Sequence, residues 1–89
     1  MLPVYEGKPF RKDLRRVKKR GKDIGKLKQV VQILALGGLL PQKNRDHALS
    51  GNYKDFRECH IEPDWLLIYR RTDTQLTLVR TGSHADLFR

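Results

Sequence analysis

The sequence predicts an α+β fold, with two N-terminal helices packed on one face of a small, mainly antiparallel sheet. Three observations lead there. Apolar residues recur at helical spacing as far as Gly37-Gly38. Beyond that point they come in short runs separated by turn residues. At 89 residues the chain has room for one hydrophobic core, and so for a single domain over residues 1–89.

The elements follow in order. Residues 4–6 read as a short strand ended by Gly7. From Pro9, which suits a first helical turn because its missing N–H costs nothing there, Phe10, Leu14 and Val17 mark one helix face. The remaining faces are crowded with lysine and arginine up to Gly21, which breaks the helix. Asp23 is a good N-cap for a second helix, whose stripe is Ile24, Leu27, Val31 and Leu34, widened by Val30 and Ile33. Gly37-Gly38 closes it. Residues 39–51 read as a polar loop, long enough for a small domain to suggest function. Strands are expected at 53–61, 65–69 and 75–81, with turns at Glu62-Pro63-Asp64 and Thr72-Asp73-Thr74. The continuous apolar run from Trp65 to Tyr69 marks a central strand covered on both sides. Residues 83–89 form at most one helical turn with Ser83 as its cap. The sheet face away from the helices is expected to stay partly open.

Charge narrows the function. Lysine and arginine number 19 against 10 acidic residues, a net charge of +9. The pI of about 10.1 is above the value of roughly 9 that flags a nucleic-acid-binding surface. Phosphate attraction without sequence specificity, or a strongly acidic protein partner, fits this better than simple solvation. A membrane surface fits less well, because the basic segments lack the broad apolar face of an interfacial helix. No apolar run is long enough to span a bilayer, and residues 1–10 carry no apolar signal core. Cys59, the single cysteine, cannot form an internal disulfide and reads as a small buried apolar residue, which fits a reducing cytoplasm.

The chain's three histidines, His47, His60 and His84, each lie in a polar phrase of the second half. Histidine exchanges protons near neutral pH. On an anionic polymer such as RNA, strand cleavage needs a base for the ribose 2′-OH, an acid for the leaving 5′-oxygen and cations for the phosphate. His60 and Asp64 are brought to one rim of the sheet by the tight proline turn, where they could also form a merely structural pair. His84, after Gly82-Ser83, could equally be an exposed capping histidine, and His47 beside Asp46 alone would pass as surface. A metal centre is the competing use of these side chains; it is disfavoured by the absence of a cysteine pair or tight histidine spacing and by the surrounding cations. Trp65 and Tyr69 read as core, Trp65 with the option of stacking on a base. Phe88 either plugs the core or offers a stacking surface beside His84. Arg57, Arg70, Arg71 and Arg80 lie on strands, where they could serve a phosphate-binding face.

Three phrases carry a resemblance. Asp46-His47-Ala48-Leu49-Ser50-Gly51, Arg57 through Tyr69, and Arg80 through Phe88 resemble the YafQ-type toxins of the RelE/ParE superfamily, and the likeness runs over essentially the whole chain. It implies a RelE-like fold and a bacterial type II toxin. Such a toxin enters the ribosomal A site, cleaves mRNA there without metal or other cofactor, and stops translation. It implies a cytoplasmic protein neutralised by a DinJ-type antitoxin, which alone would contact operator DNA. The family's catalytic groups fall on His47, His60, Asp64 and His84, and its C-terminal aromatic on Phe88. By that reading Asp64 or His60 is the base, His84 the acid, and His47 orients substrate or stabilises the phosphate. Phe88 holds the reacting base, Arg57 and Arg80 assist substrate binding, and the helical lysines and arginines grip ribosomal RNA. Tyr53 departs from the tryptophan common in relatives, a change expected to affect packing. A noncatalytic ribosome-binding module and a ParE-like inhibitor of a topoisomerase are the alternatives; the three histidines argue against the second.

Overall fold

The computed structural model describes residues 1–88. Strand β1 (Val4–Glu6) leads into helix α1 (Lys8–Lys19) and helix α2 (Ile24–Ala35). Then come β2 (His47–Ala48), β3 (Arg57–Glu62), β4 (Trp65–Arg71), β5 (Leu76–Gly82) and the short helix α3 (His84–Leu87). The five strands form one sheet in the order β1-β5-β4-β3-β2. All pairings are antiparallel except β1 with β5, which run parallel with Val4 opposite Leu76.

Both helices start and stop where their local chemistry requires. Asp23 accepts the Gly25 N–H at 2.9 Å as the α2 cap. Gly37, at φ 80°, turns the chain back so that the Gly38 N–H reaches the Ile33 carbonyl at 2.9 Å. Arg71 completes this end, donating from Nη1 to the Leu34 and Gly38 carbonyls, both at 3.0 Å. An arginine expected to face phosphate thus closes a helix instead.

The apolar run of β4 is explained by its central place. Trp65, Leu67 and Tyr69 enter the core beneath α1 and α2, with Phe10, Val17, Leu27 and Leu34 from the helices. Leu66 and Ile68 point to the other face, under Leu87 with Leu49, Phe56 and Val79. Trp65 is 1% exposed, and its Nε1 donates to Thr81 Oγ1 at 2.9 Å, so it is a core residue and offers no stacking face. Beyond the end of β1, the edge of β5 is covered by α1: buried Asp13 accepts the Thr81 N–H at 3.1 Å.

Two expectations are corrected. The stretch 39–51 is more ordered than a loop, with a 3-10 turn at Gln42–Asn44 and β2 added to the sheet edge. The strand expected from residue 53 begins only at Arg57, because Gly51–Tyr53 is a 3-10 turn and the Phe56 N–H closes onto the Tyr53 carbonyl at 2.9 Å.

Candidate active site

Alternation and register bring the distant polar phrases together on the open face. His47 lies directly opposite Glu58 across the β2–β3 ladder, and Glu58 and His60, two apart on one strand, share a face. Glu58, whose side chain is only 7% exposed, puts Oε1 at 3.5 Å from His47 Nε2 and 3.9 Å from His60 Nε2. Each imidazole is oriented from behind. His47 Nδ1 meets the Arg45 carbonyl at 2.7 Å and His60 Nδ1 the Pro63 carbonyl at 3.2 Å. Carbonyls only accept, so each Nδ1 carries a proton and each Nε2 is turned toward the carboxylate. A proton held on either Nε2 makes that contact an ion pair.

The second carboxylate is arranged differently. The His84 backbone N–H and its Nδ1 both meet the same oxygen of Asp64, at 2.9 and 2.8 Å. These bonds, the backbone one first, hold the Asp64 carboxyl below its ordinary value, so it is an anion at neutral pH. Nδ1–H is thereby fixed, and Nε2 is the nitrogen left for chemistry. Asp64 was expected beside His60; both do lie at the β3–β4 turn, but Asp64 pairs with His84, and the three imidazoles are shared between two carboxylates.

The two groups join. The His60 and His84 ring centroids are 5.9 Å apart. Phe88 lies 6.3 Å beyond His84, and Tyr53 6.3 Å beyond Phe88, edge to face. Phe88 is 45% exposed, so it presents a surface and does not plug the core. Beside His60, a groove of about 640 Å³ runs between α2 and the turn at Gln42–Asn44, flanked by Lys26, Lys43 and Arg45. Lys26 is held there by Glu62, at 2.9 Å.

Five of the expected residues, His47, His60, Asp64, His84 and Phe88, therefore form one band. Arg57 is not in it, whereas Arg80 lies opposite Ile68 in the ladder and so on the same open face. Arg57 lies opposite Tyr69 in the ladder and shares its helix-covered face; its guanidinium binds Asp46, which also accepts the Tyr69 hydroxyl at 2.5 Å. That bond tethers the residue before His47. Burial first, and then Asp46, hold the Tyr69 phenol well above its ordinary range. Arg80 binds Asp13 through Nε at 2.6 Å. Glu58 and Tyr53 were missed as site residues. The two-residue spacing of Glu58 from His60 on a strand was the available signal for the first.

Among the described residues, no group of three or more His, Cys, Asp or Glu is gathered as a metal ion would need.

A mostly antiparallel sheet packed with helices is the fold that this chain shares with small bacterial toxins of type II toxin–antitoxin systems. The chain belongs to the YafQ family: the family of bacterial toxins of type II toxin–antitoxin systems, YafQ, matches residues 3–89. The mRNA interferase toxin YafQ of Escherichia coli K12 is 46% identical over 85 residues, covering 94% of this chain and 91% of that one. In the crystal structure of the E. coli DinJ–YafQ complex, the matching chain superposes with a TM-score of 0.93 at 40% identity, covering 100% of both chains. A copper-bound mutant toxin from Helicobacter pylori superposes with a TM-score of 0.95 at 42% identity, covering 99% of this chain and 100% of that one.

Proposed function

We propose that this chain is an endoribonuclease toxin that cuts mRNA in the ribosomal A site by acid–base chemistry of its own side chains. The observation that carries this reading is the pair of differently backed imidazoles, His60 and His84, with ring centroids 5.9 Å apart. Asp64, an anion against Nδ1, stabilises a positively charged His84 and so equips it to give a proton from Nε2. The same commitment to His84 makes Asp64 a poor base, which leaves that role to His60. In the step, the ribose 2′-oxygen attacks phosphorus while its proton passes to His60 Nε2. The bond from phosphorus to the 5′-oxygen breaks, and that oxygen takes the proton from His84 Nε2. The products are a 2′,3′-cyclic phosphate and a free 5′-hydroxyl, and water with the roles reversed can open the ring. Glu58 stabilises the charge that His60 acquires, and His47, across the same carboxylate, is placed to meet the phosphate. Phe88, with Tyr53 at its edge, offers a stacking face to the reacting base.

The partners follow from the same reading. The lysines and arginines of α1 and α2 would bind ribosomal RNA, and the groove beside His60 would take the flanking mRNA. A DinJ-type antitoxin would neutralise the toxin and bring operator DNA through its own domain. The site of action is the cytoplasm.

Primer extension on mRNA from translating ribosomes tests the proposal. Wild type should give discrete cuts, and His84→Ala should slow them by about 10²–10⁴-fold, the worth of a proton-transfer group. Cleavage by His84→Ala at the wild-type rate would overturn the assignment. Equal rates on naked RNA would remove the ribosome from it.

A further inference from the structure

We propose that Asp86, clamped by Arg20 at the C-terminal end of α1, is a positioning residue that holds His84 in its reactive orientation. This rests on the reading of His84 as the proton donor. The helix that carries His84 is only four residues long, too short to hold its own shape in water. Its orientation must be imposed from outside: Leu87 seats it on Leu66 and Ile68, and two carboxylates fix the end that carries His84. Asp64 holds the His84 N–H and ring from one side. From the other, Asp86 Oδ2 accepts the Ser83 N–H at 2.9 Å, while the Asp86 N–H donates to Ser83 Oγ at 3.1 Å.

A capping box by itself would be ordinary local structure. Here its carboxylate is bound again from across the fold. Arg20 grips it with both terminal nitrogens, Nη1 to Oδ2 at 2.6 Å and Nη2 to Oδ1 at 3.0 Å. Arg16 Nη1 stands 3.8 Å from Oδ1. Arg16 also binds buried Asp13 at 2.7 Å, so the clamp is anchored to the α1–β5 contact. The Asp86 side chain is 11% exposed and that of Arg20 45%, so the carboxylate is sheltered while the guanidinium stays open to solvent screening. The site is shaped for the contact: a β-carbon at Gly82 would lie 2.8 Å from Asp86 Oδ2. The Asp86 carboxyl is held well below its ordinary value, chiefly by Arg20. Hydrogen bonds thus run from Arg20 through Asp86 to Ser83, whose peptide bond carries His84.

The test compares Arg20→Met, Asp86→Asn, their double mutant and the reversed pair Arg20→Asp/Asp86→Arg with wild type and His84→Ala, all well below their melting temperatures. The readouts are single-turnover cleavage on programmed ribosomes and the nitrogen NMR signals of the His84 ring. Each single variant should lower the cleavage rate by about 10- to 100-fold, as a displaced catalytic group does, with the ribosome concentration for half-maximal rate little changed. The double mutant should lose no more than the worse single one, and the reversed pair should recover part of the loss. The Nδ1 signal should leave its hydrogen-bonded position in step with the rate. Folded variants with the wild-type rate and ring signal, beside an inactive His84→Ala, would overturn the proposal. If His84→Ala itself cuts at the wild-type rate, the catalytic reading falls, and the ring signal still decides whether the clamp sets the imidazole.

Discussion

On the helix side of the sheet, Phe10, Trp65 and Tyr69 are each at most 1% exposed, locked among leucines and valines from both helices. On the other side, among the described residues, the buried apolar side chains are Leu66, Ile68 and Leu87, with Glu58 buried beside them, and much of the remaining face is polar or half-covered. One face carries the hydrophobic stabilisation; the other is left bare enough to admit a polymer and is held in shape by hydrogen bonds and ion pairs. A small protein can therefore spread polar and titratable groups over an open surface, because most of the core needed to fold it lies behind the sheet.

That division can be broken from either side. The largest effect on stability is expected from Trp65→Ala, which removes the biggest core side chain and should cost about 3–5 kcal/mol. At roughly 4–8 °C per kcal/mol for a domain of this size, calorimetry should show a melting temperature lower by more than 10 °C. A smaller loss would mean that the core is less committed than its burial indicates. Phe88→Ala touches the other face. It should leave melting nearly unchanged but weaken substrate engagement by about 1–3 kcal/mol, the worth of one base–aromatic stack, read as a raised half-saturating concentration. A fall in melting temperature comparable to that of Trp65→Ala would show that Phe88 belongs to the core after all.

The smallest effect should come from acid. Asp64 has a folded value below its unfolded one, so its contribution to stability is complete above the ordinary carboxylate range, near pH 4, and is lost as pH falls through the lowered folded value. Asp64→Asn should therefore melt slightly below wild type at pH 7, and the gap should close on acidification below about pH 4. A gap independent of pH would mean that the Asp64–His84 contact is not electrostatic.

The fold class, both helices and the central strand were legible, because burial imposes a period on α2 and a continuous apolar run on β4. Strand β2 was not, since His47–Ala48 is too short to show any period. Its existence depends on Glu58 and Arg57 lying across from it. The site's histidines were legible as chemistry but not as geometry. Nothing local pairs Asp64 with His84 rather than with His60 four positions away. The fates of Arg57, Arg71 and Arg80 were equally hidden, since a guanidinium on a strand reads the same whether it meets phosphate, a helix end or a buried carboxylate.

The parallel pairing of β1 with β5 has a consequence for how the molecule comes into being. A chain made from its amino end holds β1 with no partner until residues beyond Leu76 follow, and α3, with His84, is made after that. Contacts so far apart in sequence form late and slowly. By the function proposed above, the group that needs His84 is assembled only in the closing moments of folding, and an unfinished polypeptide has no complete site.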